Sequence, residues 1–358
     1  MVTMGEKEST FYYNQDEVVV KVYDVAPSAD YSSFDVYVKG TKKTSDMYVM
    51  YKFQHINNPR IEQSLTCTAN PRQDATLYRV KTAFKAKRTD EFSFTAGTQL
   101  LQEGEIEMAV KEMPNEATNN QTPGDFIGGF RGDEHITSVF LKIDGKDVPL
   151  NKPGNYVGRR IEFEQSPVVN RCNTHDDKLI NHTKKYVITK DGIDLNQTAE
   201  WLKDTKIEVA YLTMFTIMRQ PEVNSPRVTD YVKLYWCDGE EAAYYDVSNF
   251  GHATYLNDNK ALGHVAGQKF GEYVYSPGDI TTKDDGTYVN KAYLWSEAGD
   301  IDAYVWTETI RGLHNSMANL TARVFGDNKI YFGSHIGENV KKGDVWEVNN
   351  HYDVKVND

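Results

Sequence analysis

Apolar and polar residues alternate with a period of two through most of this chain, the repeat of a strand whose successive side chains leave opposite faces. In Phe34-Asp35-Val36-Tyr37-Val38-Lys39, the first, third and fifth residues share one face while Asp35, Tyr37 and Lys39 share the other. Glu17–Val25 follows the same rule, and Met47–Phe53 (MYVMYKF) has the aromatic and branched content that strands prefer. The pattern predicts further strands at Thr76–Lys87, Glu91–Thr95, Glu103–Lys111, Thr137–Ile143, Arg159–Gln165, Lys184–Thr189, Ile207–Met218 and Thr229–Cys237. It continues at Tyr273–Tyr275, Lys291–Trp295, Ala303–Thr309, Asn319–Val324, Lys329–Gly333 and Asp344–Val348. Asn196–Asp204 (NQTAEWLKD) reads as a short helix, with Asn196 as its N-cap and Glu200 in its first turn.

Punctuation between these segments is that of hairpins. Asp144-Gly145, Asp191-Gly192, Asp238-Gly239 and Asp285-Gly286 supply residues that tolerate positive φ. Ile143–Val148, centred on Asp144-Gly145, is the clearest hairpin. Strands at such short intervals predict an all-β fold, an antiparallel β-sandwich of jelly-roll or concanavalin-like type with few short helices. Met113–Asp125 is a polar loop rich in turn formers. Residues 1–70 are expected as an N-terminal β unit or as strands added to the main sandwich of residues 71–358.

Composition narrows the function. The chain has 358 residues and a net charge of −12, so the basic stripe of a nucleic-acid binder is missing. Between Asp238 and Asp302 stand 12 acidic residues and 4 lysines, a local net charge of −8. A solvated edge explains that stretch; calcium, which takes several oxygen ligands, is the functional alternative, and no EF-hand spacing is present. No other cofactor or metal is expected, because Cys67, Cys172 and Cys237 are far apart and form no CxxC pair. No apolar run is long enough for membrane insertion. Met1–Glu8 has no apolar core, so synthesis in the cytoplasm without a signal peptide is expected.

Candidate chemistry concentrates at Phe126–His135, where Gly128, Gly129 and Gly132 precede or interrupt Arg131, Asp133, Glu134 and His135. A surface turn with self-paired charges is the plain reading; the sharper one is a ligand site in which Arg131, with Asp133 and Glu134, holds a carboxylate or sugar hydroxyls. Arg171–Tyr186 carries His175, Asp176, Asp177 and His182. In Ile207–Met218, Tyr211 lies on a face that could line a groove, and Arg219 follows. Serine-hydrolase, P-loop, HExxH and dinucleotide motifs are absent. β-Elimination on a polyuronate would need a group to neutralise the carboxylate and a Tyr or His to take a proton. His135, His182 and Tyr211 are the candidate catalytic residues, with Arg131 and Arg219 on the substrate.

With 23 Tyr and 5 Trp, aromatic side chains offer flat faces that match sugar rings. Most of Trp201, Trp236, Trp295, Trp306 and Trp346 are expected in the core, while Tyr37, Tyr48, Tyr244, Tyr245 and Tyr304 are expected to keep one face free.

The run Gly128–Glu134, leading into a strand and the Asp144-Gly145-Lys146 turn, resembles minor structural or tail (receptor-binding) proteins of phages infecting Gram-positive bacteria. Those proteins show a G-x-x-H-G-D-E run before a strand and a D-G-K turn. The closing Asn328–Phe332 and Lys341–Trp346 are similar in style to their ends. Arg131 stands where that run has His, which favours a non-catalytic binder. The resemblance implies a β-rich virion protein that contacts the host wall. Its partners would be cell-surface polysaccharide or teichoic acid and other virion proteins, with a homo-oligomer as one arrangement. A polysaccharide lyase and a purely structural virion subunit are the alternatives.

Overall fold

The computed structural model describes residues 16–41, 46–58, 75–101, 108–113, 126–129, 133–172, 174, 176–217, 228–246, 283, 285–297, 301–311, 322–324 and 330–357. Arg131, Arg219, His175, Tyr273–Tyr275, Cys67 and much of the acidic stretch lie outside these residues.

Every element among them is a strand. In chain order they are β1 (Val18–Val22), β2 (Phe34–Lys39), β3 (Met47–Asn58), β4 (Ala75–Asp90), β5 (Ser93–Gln99), β6 (Ala109–Glu112) and β7 (Glu134–Ile143). Then come β8 (Lys146–Val148), β9 (Gly154–Gly158), β10 (Ile161–Asn170), β11 (Lys178–Thr189), β12 (Gly192–Trp201) and β13 (Thr205–Phe215). The last are β14 (Tyr231–Trp236), β15 (Glu241–Asp246), β16 (Val289–Trp295), β17 (Ile301–Arg311), β18 (Ala322–Val324), β19 (Ile330–Val340) and β20 (Val345–Val356). The fold is all-β and antiparallel, a sandwich as the alternation predicts.

One sheet of sixteen strands runs β15-β14-β16-β17-β20-β12-β11-β10-β7-β4-β3-β2-β1-β9, with β5 and β8 paired to its side; a four-stranded sheet runs β18-β19-β13-β6. Among the described residues the single parallel register is between β4 and β7, at Thr76 and His135. There the Gln165 side chain closes the seam, accepting from the Tyr78 N–H at 3.0 Å and donating to the Tyr78 carbonyl at 2.9 Å.

The long sheet folds back on itself. Past the end of β2, Gly40 sits so close to β20 that an added Cβ would lie 2.8 Å from the Val356 carbonyl oxygen. The next residue, Thr41, donates its N–H to that same oxygen at 3.1 Å. The buried Tyr51 hydroxyl of β3 hydrogen-bonds the Val354 backbone of β20. Between these layers lies a core built on Phe34, Phe53, Phe163, Tyr186, Phe215 and Tyr352. A second core, around Trp201, Trp346, Ile180, Ile207 and Val340, joins the small sheet to β11, β12 and β20.

Asn196–Asp204 is not a helix. Asn196 to Trp201 complete β12, where Ile193, Leu195, Gln197, Ala199 and Trp201 are buried alternately with exposed or half-exposed residues. The strand is paired along its length to β11 on one side and β20 on the other, so both edges of its backbone are satisfied. That pairing outweighs the local capping signal. The Asp144-Gly145 turn is as predicted, with φ of 49° and 78°. Asp144 Oδ1 adds two bonds, accepting from the Arg159 and Arg160 N–H groups at 3.0 Å each.

Two expectations about aromatic residues are corrected. Only Trp201 and Trp346 are buried, and Trp236, Trp295 and Trp306 are half-exposed. Tyr37 and Tyr48 are buried, because β5 covers that face and Phe94 stacks on Tyr37 at 3.8 Å.

Candidate functional site

Glu134 opens β7, and the alternation of β11 turns Ile180, His182, Lys184, Tyr186 and Ile188 inward. Reaching across β10, the Glu134 carboxylate meets two of them. Its Oε1 accepts from Lys184 Nζ at 2.9 Å and lies 3.1 Å from His182 Nδ1. Its Oε2 accepts from the Gly129 N–H. All three side chains are fully buried. Gly128 and Gly129 are both in positive φ, at 90° and 52°, which lets the backbone turn its amide onto the carboxylate.

Burial by itself pushes the Glu134 carboxyl up, but the Lys184 ammonium and the His182 hydrogen bond outweigh it and hold the group well below the usual carboxylate range. An ionised carboxylate can only accept, so His182 Nδ1 carries the hydrogen in this bond. His182 Nε2 then has no hydrogen-bond partner, and the Trp201 Nε1–H on the adjacent strand has none either.

The sequence-predicted residues therefore divide. Glu134 and His182 converge, and Asp133 beside them is wholly buried, with φ of 57° and its carbonyl accepting from Asn170 N–H at 2.7 Å. Glu134 itself is an interior group, paired with His182 and Lys184 of β11. His135, the next residue along β7, leaves the opposite face and is half-buried. Tyr211 belongs to the small sheet, where it stacks on Phe126 at 5.9 Å and packs with Ala109 and Met214. Arg131 and Arg219 lie outside the described residues. Lys184 belongs to no motif, and the sign of it in the sequence is its place between His182 and Tyr186 in the inward register of β11.

A second group forms on the outer face at the other end of the long sheet. Val232 and Leu234 of β14, Ala292 and Leu294 of β16, and Ala303 and Val305 of β17 point into the core. Their alternates therefore point out: Tyr231 and Lys233, Tyr293 and Trp295, and Asp302, Tyr304 and Trp306. Cross-strand pairing sets Tyr231 opposite Trp295 and Lys233 opposite both Tyr293 and Tyr244. The result is a row of rings. Tyr293 and Trp295 lie 5.0 Å apart, Trp295 and Tyr231 5.2 Å, and Tyr231 and Tyr244 6.1 Å, with the planes of successive rings within 31°. Tyr244, at the edge strand β15, is 42% exposed.

Polar groups frame this row. Lys233 Nζ pairs with Glu241 at 2.8 Å and lies 5.9 Å from the centroid of the Tyr244 ring. The Tyr293 hydroxyl donates to Asp302 Oδ1 at 2.6 Å. Burial and that carboxylate push the Tyr293 phenol up, so it stays a neutral donor. Further along, Trp306 stacks on His351 at 5.6 Å, and His351 Nδ1 is 2.6 Å from Asp194 Oδ1. Of the five tyrosines expected to be free-faced, Tyr244 and Tyr304 belong to this surface.

Among the described residues no three His, Cys, Asp or Glu side chains gather as a metal site. The chain matches no family model and no curated protein. Among solved structures it is similar to a galactose mutarotase-like protein from Clostridium acetobutylicum, with 8% identity over 96% of this chain and 100% of that one and a TM-score of 0.41. It is also similar to a protein from Synechocystis sp. PCC 6803, with 8% identity over 94% and 100% of the two chains and a TM-score of 0.36. A third is the GalM/aldose epimerase homologue from C. elegans, with 9% identity over 90% and 99% of the two chains and a TM-score of 0.31.

Proposed function

We propose that this chain is a carbohydrate-binding protein of a phage particle, and that it docks host cell-surface glycan on the outer face of β14–β17. The observation that carries the reading is the row Tyr293–Trp295–Tyr231–Tyr244, an aromatic surface with polar groups along its margin. Rings of this kind present apolar area to the C–H faces of a sugar, while hydroxyls and carboxylates beside them exchange hydrogen bonds with its hydroxyls. The virion setting rests on the resemblance of Gly128–Glu134 and its following strand to phage tail proteins. In that setting the partners are cell-surface polysaccharide or teichoic acid and neighbouring virion proteins.

Adsorption of the purified protein to host cell walls tests the reading. Trp295→Ala should weaken adsorption by about tenfold or more, the scale of a central aromatic contact. Unchanged adsorption would remove the assignment.

One observation favours a second reading, a polysaccharide lyase acting by β-elimination. A carboxylate orients the His182 ring through Nδ1 and leaves Nε2 without a partner, the arrangement of a general base. Access stands against it, since the His182 side chain is fully buried. Incubation with polyuronates, followed by ultraviolet absorbance of unsaturated products, decides it; no absorbance rise disposes of the lyase.

A further inference from the structure

We infer that the β14–β17 face selects uncharged glycan chains and excludes polyanionic ones, teichoic acid and polyuronate included. This rests on the reading of that face as the glycan site and deepens it.

The charges around the rings carry the argument. The lysine beside them, Lys233, is already neutralised by Glu241 at 2.8 Å. Asp302 stands at the other margin as a carboxylate, engaged by the Tyr293 hydroxyl at 2.6 Å and by the Asn357 amide. Beyond it on β17, Glu308 is exposed on the same face, and Lys291 of β16, opposite Trp306, is half-buried. On this face of the described residues Glu241, Asp302, Glu308 and Asp353 thus stand with Lys233, Lys291 and Lys355, the last paired with Asp353 at 2.8 Å, and the whole chain carries −12 besides. A polymer bearing a phosphate or carboxylate on every unit would bring like charge against Asp302 and Glu308, while Lys233, the lysine beside the Tyr244 ring, is already paired with Glu241. Such juxtaposition lowers both encounter rate and affinity.

A neutral chain meets no such opposition. The ring row crosses three neighbouring strands in steps of 5.0, 5.2 and 6.1 Å. Its length suits several consecutive sugars of an extended chain and exceeds what one monosaccharide covers. With its hydrogen held by Asp302, the Tyr293 oxygen offers an acceptor lone pair, and the Asp302 carboxylate offers a second acceptor, both suited to the O–H of sugar hydroxyls or the N–H of acylated amines.

Titration calorimetry of the full chain with two probes tests this: an oligomer of N-acetylglucosamine as the neutral chain, and poly(glycerol phosphate) as the polyanion. Wild type should bind the neutral oligomer at least about tenfold more tightly than the polyanion at low salt. Trp295→Ala should remove that binding, and Tyr244→Ala, at a half-exposed edge position, should weaken it in a protein whose melting is unchanged. Equal or tighter binding of poly(glycerol phosphate), abolished by Trp295→Ala, would overturn the selectivity while leaving the face as a ligand site. Binding of neither probe, or binding indifferent to both variants, would overturn the face itself.

Discussion

Lys184 Nζ lies 2.9 Å from Glu134 Oε1, and neither side chain has any exposed surface. The ammonium and the carboxylate each justify the other's place in the interior, since an isolated buried charge is far more costly than a paired one. Lys184→Met should destabilise the fold by about 3–5 kcal/mol, because it strands the carboxylate with only His182 and one amide. The double variant Lys184→Met, Glu134→Leu should recover much of that loss. Urea denaturation of both checks it, and a single variant costing under about 1 kcal/mol would show that the lysine does not hold the charge.

Acid should act on the same group. Its folded-state carboxyl titrates below the ordinary value of 4.5, so the unfolded chain binds the proton more readily. The stabilisation is therefore complete above about pH 4.5 and is lost as pH falls toward the lowered native value. Denaturation midpoints followed from pH 7 to acid should fall more steeply in wild type than in Glu134→Gln. Parallel curves would place the acid sensitivity elsewhere.

This cluster also marks where sequence reasoning succeeds and where it stops. Period-two alternation located β2 to the residue and placed parts of β10, β11, β13, β16 and β17, because a half-buried strand writes its two faces directly into the chain. The same alternation hid in Gly192–Trp201, where inward Gln197 and Ala199 break the apolar run and a capping signal competes. The meeting of Glu134 with His182 depends on pairing across β10, a partner 48 residues away, which no local pattern encodes. Likewise, Trp295 and Trp306 read as core because they sit in strands, yet they occupy the outward register. Tyr37 reads as free because nothing local announces that Phe94 will cover it.

Trp201 and Trp295 should therefore respond oppositely to truncation. Trp201 has no exposure and packs at 4.9 Å on Trp346, so Trp201→Ala should cost about 3–5 kcal/mol. Trp295→Ala, on a half-exposed face, should cost about 1 kcal/mol or less. Thermal melts of the two variants compare them; equal losses would mean that the outer row is structural.

At the β7–β8 hairpin, Gly145 has φ of 78° and nothing within 4 Å of a built Cβ. Gly145→Val therefore meets no clash, and its cost is backbone strain alone, about 1–2 kcal/mol. Asp144→Ala should cost a similar amount through the lost Arg159 and Arg160 amide bonds. Denaturant midpoints test both, and a neutral Gly145→Val would mean that the turn relaxes to another geometry.

Asn350 ties the two sheets together. Its Oδ1 accepts from Thr307 Oγ1 of β17 at 3.0 Å and from Thr213 Oγ1 of β13, with all three residues buried. β13 belongs to the small sheet while β17 and β20 belong to the large one, so this oxygen is shared across the sandwich. Asn350→Leu is close in volume but takes the shared acceptor from two hydroxyls, leaving Thr213 only its long 3.4 Å bond to Thr307 Oγ1, at about 1–3 kcal/mol. Adding Thr213→Val removes one stranded donor and should restore part of the loss, by about 1 kcal/mol. A double-mutant cycle read by urea unfolding measures that coupling. Strict additivity would show that Thr213 and Asn350 act independently and that apolar packing alone holds the sheets together.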